Sequence, residues 1–150
     1  MDKLQAKSAI EIIKSDTVDI PMTVYGSGSA TSTVSDKLVD TAADFGTVRP
    51  GFILYNVTDG TSTVVKKVED DNTLVLADDI MASGESYVVY FKNINEGAVL
   101  YVGTGGDLKV ELFDGSVVTL TSVNDGQFIP VQVVKVFSTG TTADDIVALW

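Results

Sequence analysis

The sequence of 150 residues contains no cysteine and no histidine, and only three prolines and one tryptophan. Without cysteine there is no disulfide and no thiolate metal ligand. Without histidine there is no imidazole base, no Ser-His-Asp or Cys-His nucleophile, and no His-ligated zinc or iron. These absences remove the groups on which most familiar active sites depend. We therefore expect a protein that is not an enzyme, with no catalytic residues, no metal site and no cofactor.

Positive charge is also scarce, with ten Lys and Arg against 21 Asp and Glu and a net charge of −11. Arg49 is the single arginine. Nucleic-acid binding and attraction to anionic membranes both depend on Lys and Arg, so we expect neither partner. A chain of this length buries roughly 70% of the surface that its unfolded form exposes, which permits one core or two small ones without disulfides.

The first fifteen residues, MDKLQAKSAIEIIKS, lack the continuous apolar run of a secretion signal or a membrane span. Their periodicity leaves the secondary structure open. Leu4, Ile10 and Ile13 could share one face of a helix, whereas residues 9–13 also alternate as in a strand. We interpret this segment as an N-terminal arm.

Residues 18–25 alternate in polarity and predict an edge strand, because Pro21 has no amide to donate to a neighbour. Residues 26–35, GSGSATSTVS, are small and polar and indicate a linker or an exposed loop. The expected arm and linker together span residues 1–35.

Short runs of Val, Thr, Ile, Tyr and Phe, separated by Gly, Asp and Asn, follow along the chain and are typical of an all-β fold. Dipeptides such as Asp59-Gly60 suit the positive φ of tight hairpins. We predict two small antiparallel β modules over residues 36–92 and 93–150, each a barrel or a sandwich, preceded by the arm. The strand candidates are 52–57, 62–68, 73–76, 87–91, 99–102, 108–113, 117–121, 131–137 and 146–150.

Two motifs resemble functional sites but lack the neighbouring features that those sites require. Residues 103–106, GTGG, could cradle a phosphate, yet no Lys and Ser/Thr pair follows them and they precede a predicted strand instead of a helix. The sequence Asn56-Val57-Thr58 matches the glycosylation sequon, but no secretion signal accompanies it. We interpret both as turns.

Acidic residues raise two further hypotheses. The doublets Asp70-Asp71, Asp78-Asp79 and Asp144-Asp145 could bind calcium, although none has the spacing of an EF-hand loop. A pair of carboxylates could also serve glycoside hydrolysis, but such clefts are usually lined with aromatic side chains and the single Trp is residue 150. We interpret the doublets as solvated turn residues and expect no hydrolase.

The second module resembles a known family. The ordered series LYVGTGGDL (100–108), DGS (114–116), PV (130–131), TGTTA (139–143) and IVALW (146–150) is similar to the C-terminal module of head-surface proteins of tailed bacteriophages and gene transfer agents. That family is often described as a spike base protein. Residues 37–91 also resemble a small β module found in phage virion proteins, whereas residues 1–35 match no part of the family.

The resemblance implies a virion structural protein that is assembled in the host cytoplasm onto the outside of the capsid. Its expected role is capsid decoration, as a cement protein. The alternatives are a vertex spike base that anchors a head fibre, and, from another class, a carbohydrate- or receptor-binding module. The expected partners are the major capsid protein and further copies of the chain, most simply as a trimer and alternatively as a pentamer.

The apolar residues near the two ends of the sequence are the expected interaction surface. Exposed strand edges and apolar ends can add to neighbouring sheets or dock into grooves. Aromatic clustering in a groove would favour the carbohydrate-binding alternative, whereas flat apolar patches near both ends would favour assembly. The candidate interface residues are Leu4, Ile10, Ile12, Ile13, Ile146, Val147, Leu149 and Trp150.

Overall fold

The fold is all-β in a computed structural model that describes residues 6–21, 23–92 and 96–150. None of these residues lies in a helix, which confirms the predicted fold class. The strands, in chain order, are β1 (Ala9–Glu11), β2 (Val24–Ser29), β3 (Ser32–Val34), β4 (Lys37–Val39), β5 (Ile53–Asn56), β6 (Thr61–Asp70), β7 (Thr73–Leu76), β8 (Ser86–Tyr90), β9 (Ala98–Thr104), β10 (Gly106–Leu112), β11 (Val117–Val123), β12 (Gln127–Val136) and β13 (Asp144–Leu149).

Two compact units make up the chain. The terminal unit comprises Met1–Ile20 and Ile94–Trp150, and the central unit comprises Pro21–Asn93. This division differs from the expected one in residues 1–35. The first part of the expected arm belongs to the terminal unit, and the expected linker belongs to the central unit.

The central unit is one antiparallel sheet of seven strands in the order β2-β8-β5-β6-β7-β4-β3. Strand β6 changes neighbour along its ten residues: Thr61 to Val64 pair with β5, and Val65 to Asp70 pair with β7. Both parts of the sheet contribute to one core, and its end strands have one neighbour each, so the sheet does not close into a barrel. The buried core residues are Ala30, Leu38, Phe45, Val48, Phe52, Leu54, Val65, Leu74, Leu76, Met81, Tyr87 and Val89.

The terminal unit is a six-stranded antiparallel sheet in the order β1-β13-β9-β12-β10-β11. Strand β12 likewise pairs with β9 through its first residues and with β10 through its last. A register shift between Ile129 and Val133 marks the change, around Pro130, which cannot donate to a ladder. The buried core residues are Ile20, Ala98, Leu100, Val102, Leu108, Val110, Val123, Ile129, Val133, Val136, Ala143, Ile146 and Ala148.

The described part of the expected arm is an integral part of the terminal unit. Strand β1 pairs with β13, and Ile10 lies opposite Ala148. Beyond it, the amides of Ser15 and Ile20 donate to the carbonyls of Val136 and Val134 at 2.9 and 2.8 Å. The periodicity of residues 9–13 fitted both a helix and a strand, and the structure shows a strand at 9–11. Ile10 packs against the core, and its neighbours in β1 face outward.

The expected linker forms strands β2 and β3, at the two ends of the central sheet. Close packing explains one of its small residues, Gly28. A Cβ at Gly28 would lie 2.5 Å from a carboxylate oxygen of Asp40 and 2.7 Å from the hydroxyl of Tyr87, so only glycine fits in β2 at this point. The predicted edge strand over 18–25 is displaced towards its end, because Val24 is the first residue of β2.

The glycines of the predicted Asp-Gly turns have the backbone conformation that tight hairpins require. Gly60, Gly115 and Gly126, each preceded by Asp, have φ of 69°, 85° and 71°, which other residues rarely adopt. The amide of Gly60 donates to the carbonyl of Asn56 at 2.9 Å, closing the turn between β5 and β6. Every strand predicted from residue 52 onward has a counterpart, with ends that differ by a few residues.

A buried hydrogen bond holds the loop after β4 against β8. The hydroxyl of Tyr87 donates to the carboxylate of Asp40 at 2.8 Å, and both residues are buried. The other carboxylate oxygen of Asp40 accepts the amide of Ala42 at 2.9 Å. Burial, followed by the hydrogen bond to Asp40, raises the pKa of Tyr87 far above that of a free phenol, so the hydroxyl remains a donor.

Replacing Tyr87 with phenylalanine tests this hydrogen bond. Tyr87→Phe leaves a buried carboxylate oxygen without its donor, and hydrogen bonds to charged groups contribute about 1.5–3 kcal/mol. We expect a loss of that size in the free energy of unfolding, measured by denaturant titration. Tyr55→Phe, at a half-buried position of β5, is the control and should change it by less than about 0.5 kcal/mol. Equal losses at both positions would contradict the role of Asp40.

Candidate interaction surface

The sheet of the terminal unit is apolar on the face opposite its core, across β13, β9 and the first part of β12. Val147 of β13 lies opposite Tyr101 of β9, which in turn lies opposite Phe128 of β12. Leu149 lies opposite Val99 in the next row. Directly paired residues project from the same face of a sheet, so these five side chains form one surface, here called the apolar outer face.

The apolar outer face is accessible. Phe128 is 57% exposed, and the other four side chains are half-buried. The rings of Tyr101 and Phe128 lie 5.3 Å apart at an interplanar angle of 60°. Antiparallel sheets with one solvated face usually carry polar side chains there, and this part of the sheet does not.

The other half of the same sheet follows the usual pattern. Its outward positions carry Lys109 and Glu111 on β10 and Lys135 on β12. Lys135 contacts the carboxylates of Glu111 at 2.9 Å and Asp19 at 3.4 Å. Burial alone would lower the pKa of Lys135, but the hydrogen bond to Glu111 and the charges of Asp19 and Glu111 outweigh it and raise the pKa. The outer surface thus carries charged side chains on β10 and on the last part of β12, and apolar side chains on β9 and β13.

The structure divides the candidate interface residues between core and surface. Ile10, Ile12 and Trp150 pack against the core of their own unit, and Ile146 is buried within it. Val147 and Leu149 lie on the apolar outer face, and Ile13 is half-buried just after β1. Leu4 lies outside the described residues. Val147 and Leu149 are therefore accessible to a partner, whereas Ile10, Ile12 and Ile146 contribute to the core.

Val99, Tyr101 and Phe128 were not among the candidate interface residues. The continuous apolar run of residues 98–102 hides the alternation that would separate a buried face from an exposed one. Only the pairing with β13 shows that Val99 and Tyr101 project with Leu149 and Val147. A run that is apolar at every position, in an antiparallel sheet, is the signal that could have indicated a second apolar face.

The glycine-rich segment 103–106 is a tight connection between β9 and β10. A Cβ at Gly105 would lie 2.3 Å from the carbonyl oxygen of Val123, and one at Gly106 would lie 2.7 Å from the amide nitrogen of Ala143. The amide of Gly105 already donates to the carboxylate of Asp125 at 2.6 Å. Close backbone packing explains these glycines without a bound phosphate.

Asn56, in the sequon, is fully buried and structural. Its side-chain amide donates to the carbonyl of Ile80 at 2.7 Å and to the carboxylate of Glu85 at 2.9 Å. Its side-chain oxygen accepts the amides of Thr58 and Asp59 at 2.9 and 3.1 Å. The side chain thus builds the turn after β5 and is not presented for modification.

Side chains of the three acidic doublets make hydrogen bonds within the protein. Asp70 accepts the amide of Asn72, Asp78 accepts the hydroxyl of Thr63, and Asp79 accepts the hydroxyl of Ser35. Asp144 forms an ion pair with Lys14 at 3.3 Å, and Asp145 accepts the hydroxyl of Thr104 at 2.7 Å. Among the described residues, no group of three or more acidic side chains is arranged to hold a metal ion.

A cavity of about 270 Å³ in the central unit lies beside Tyr25 and Phe45. The neighbouring rings of Tyr25, Phe52 and Phe91 pack against one another, with centroids 5.1–5.7 Å apart. The hydroxyl of Tyr25 contacts Thr47 at 2.8 Å. The three rings meet edge-on or tilted, and Phe91 is 40% exposed.

A second cavity of about 250 Å³ in the central unit is lined by Asp59, Asp79 and Glu85, among others. The carboxylate of Glu85 accepts the amide of Ala82 at 2.6 Å as well as the side chain of Asn56. The charge of Glu85 raises the pKa of Asp59, with a smaller contribution from burial. Repulsion between two acids at a turn accounts for this shift.

No protein-family model and no curated protein matches the chain. Within residues 6–21, 23–92 and 96–150 there is also no helix long and apolar enough to cross a membrane.

Trp150 provides a test of the packing at the edge of the terminal core. Its indole Nε1 is buried and has no hydrogen-bond partner among the described residues. Trp150→Ala should lower the free energy of unfolding, by less than the about 3–5 kcal/mol of a fully buried tryptophan, because the ring is half-buried. Trp150→Phe keeps most of the contact and removes the unpartnered N–H, so it should cost less. Unchanged stability of Trp150→Ala in urea titrations would contradict this packing.

The pKa of Asp59 predicts a pH-dependent effect on stability. A raised pKa in the folded state means that the repulsion destabilises the fold above that pKa and is relieved as Asp59 becomes protonated. Asp59→Asn should therefore raise the unfolding midpoint at pH 7, and the gain should shrink towards pH 4. Asp71→Asn, at an exposed turn position outside this cavity, is the control. A gain that is independent of pH, or none at pH 7, would contradict the assignment.

Proposed function

We propose that this protein is a structural component of a tailed-phage virion that decorates or cements the outside of the capsid. The observation that carries the proposal is the apolar outer face. It is a sheet surface and not a cleft, and exposed apolar patches with polar surroundings mark protein–protein contacts. Its five residues include Val147 and Leu149, close to one end of the sequence.

Charge at the border of the apolar outer face favours a partner other than a second copy of the same surface. Glu11 lies opposite Val147, and Asp145 precedes Val147 by two positions on the same side of β13. A second copy would bring the same carboxylates to the contact, in a chain of net charge −11. Basic groups around an apolar patch would complement this border, and we assign that surface to the major capsid protein.

The virion context rests on the resemblance of residues 98–150 to the head-surface module. This segment forms strands β9 to β13, and three of them, β9, β12 and β13, build the apolar outer face. The high negative charge keeps free subunits soluble before they assemble. Assembly in the host cytoplasm and display in several copies on the capsid surface belong to the same proposal.

Binding to capsids that lack the protein tests the proposal. Heads are prepared from a phage whose copy of this gene has been deleted. They are mixed with the purified protein and sedimented. Phe128→Asp places a charge on the apolar outer face, and we expect it to reduce co-sedimentation at least about tenfold, since desolvating an unpaired charge at a contact costs several kcal/mol. The matched control is Phe113→Asp, because Phe113 is 55% exposed and lies outside this face.

The outcomes of this experiment are distinct. Wild-type protein and Phe113→Asp should bind, and Phe128→Asp should not, while all three keep the same unfolding midpoint. Failure of the wild-type protein to bind heads would overturn the capsid proposal. Equal binding of both variants would show that the apolar outer face is not the docking surface.

A further inference from the structure

Strand β11 is an uncharged edge of the terminal unit. It lies at the end of the six-stranded sheet and pairs only with β10. Val117 and Val118 are 52% and 38% exposed, and no residue from 115 to 124 is charged in a chain of net charge −11. Proteins usually protect an edge strand with Lys, with Pro or by making it very short. The seven residues of β11 include no Lys and no Pro, and its register shift against β10 falls beyond Leu120, where Ser122 has a φ of 55°.

The backbone of β11 presents hydrogen-bonding groups outward at Val117 and Thr119. The amide of Leu112 donates to the carbonyl of Ser116 at 2.8 Å, so these two residues form a hydrogen-bonded pair. Such pairs alternate along an antiparallel ladder with pairs whose N–H and C=O groups point away from each other. Thr119, opposite Lys109, and Val117, opposite Glu111, belong to the non-hydrogen-bonded pairs. Their backbone N–H and C=O groups therefore point away from β10.

We propose that two copies of the chain pair antiparallel through β11, about a two-fold axis at Thr119. In this register Thr119 lies opposite Thr119 of the second copy, and Val118 lies opposite Leu120. Val118 and Leu120 pair within the chain with the core residues Val110 and Leu108. The pairing therefore extends the apolar core of each copy onto the other and brings no charged side chain of β11 against a like charge.

The other edge strands fit this role less well. Strand β1 has three residues and carries Glu11. In the central unit, β2 contains Gly26 and Gly28, and glycine-rich strands specify register weakly. Strand β3 is also three residues long, and its Thr33 accepts the amide of Ser83 at 2.8 Å. Among the edge strands of the described residues, β11 alone combines length, exposed branched side chains and a self-complementary order.

Paired charge variants at Thr119 test this contact, because the residue meets its own copy on the axis. The pairing covers few residues and is smaller than the about 1,600 Å² of a standard interface, so the wild-type dimer should be weak and is measured by sedimentation equilibrium over a wide concentration range. Thr119→Lys or Thr119→Glu alone places like charges opposite each other and should weaken dimerisation about fivefold. An equal mixture of the two variants should dimerise at least as tightly as the wild type.

Thr61→Lys, at an exposed strand position of the central unit, is the control and should leave dimerisation unchanged. A monomeric wild-type protein at all concentrations, or a trimer or pentamer whose assembly ignores charge at Thr119, would overturn the two-fold contact. A mixture that stays as weak as its components would also overturn it. The measurement uses no capsid, so its failure is distinguishable from failure of the docking proposal.

Discussion

Each unit, with no helix among its described residues, builds one core from the inner face of a single sheet. In both units this depends on one ten-residue strand that changes neighbours along its length, β6 in the central unit and β12 in the terminal unit. The register shifts after Val65 and Ile129 mark where the change occurs. Because each sheet thereby builds its own core, its opposite face and its edge strands remain on the surface. The two proposed contact surfaces are the apolar outer face and the edge strand β11 of the terminal unit.

Much of the fold could be predicted from the sequence, since β-branched runs and Asp-Gly turns are local signals. The positive φ of Gly60 and Gly115 was predictable in this way. The strands at 24–34 were not predictable, because runs of small polar residues are typical of flexible segments, whereas Gly28 is small to admit Asp40 and Tyr87. Pairing of residues 9–11 with β13 spans almost the whole chain, and no local pattern indicates a contact between positions so distant in sequence.

The candidate surface was predictable only in part. Val147 and Leu149 were expected at an interface, but an unbroken apolar run such as IVALW does not show which alternate positions face the core. Pairing with β9 assigns Ile146 and Ala148 to the core and Val147 and Leu149 to the outer face. Tyr101 and Phe128 join them only through the order of strands in the sheet. The chemistry of this surface is hydrophobic contact with an acidic border, which suits assembly.

A cryo-electron microscopy reconstruction of a head that carries this protein would show directly which surface of the protein contacts the capsid. We expect density for the protein on the outer surface of the capsid, with the apolar outer face against the shell and basic side chains of the capsid protein near Glu11 and Asp145. A head whose outer surface lacks the protein, or one in which this sheet face points to solvent while another surface contacts the shell, would contradict the account.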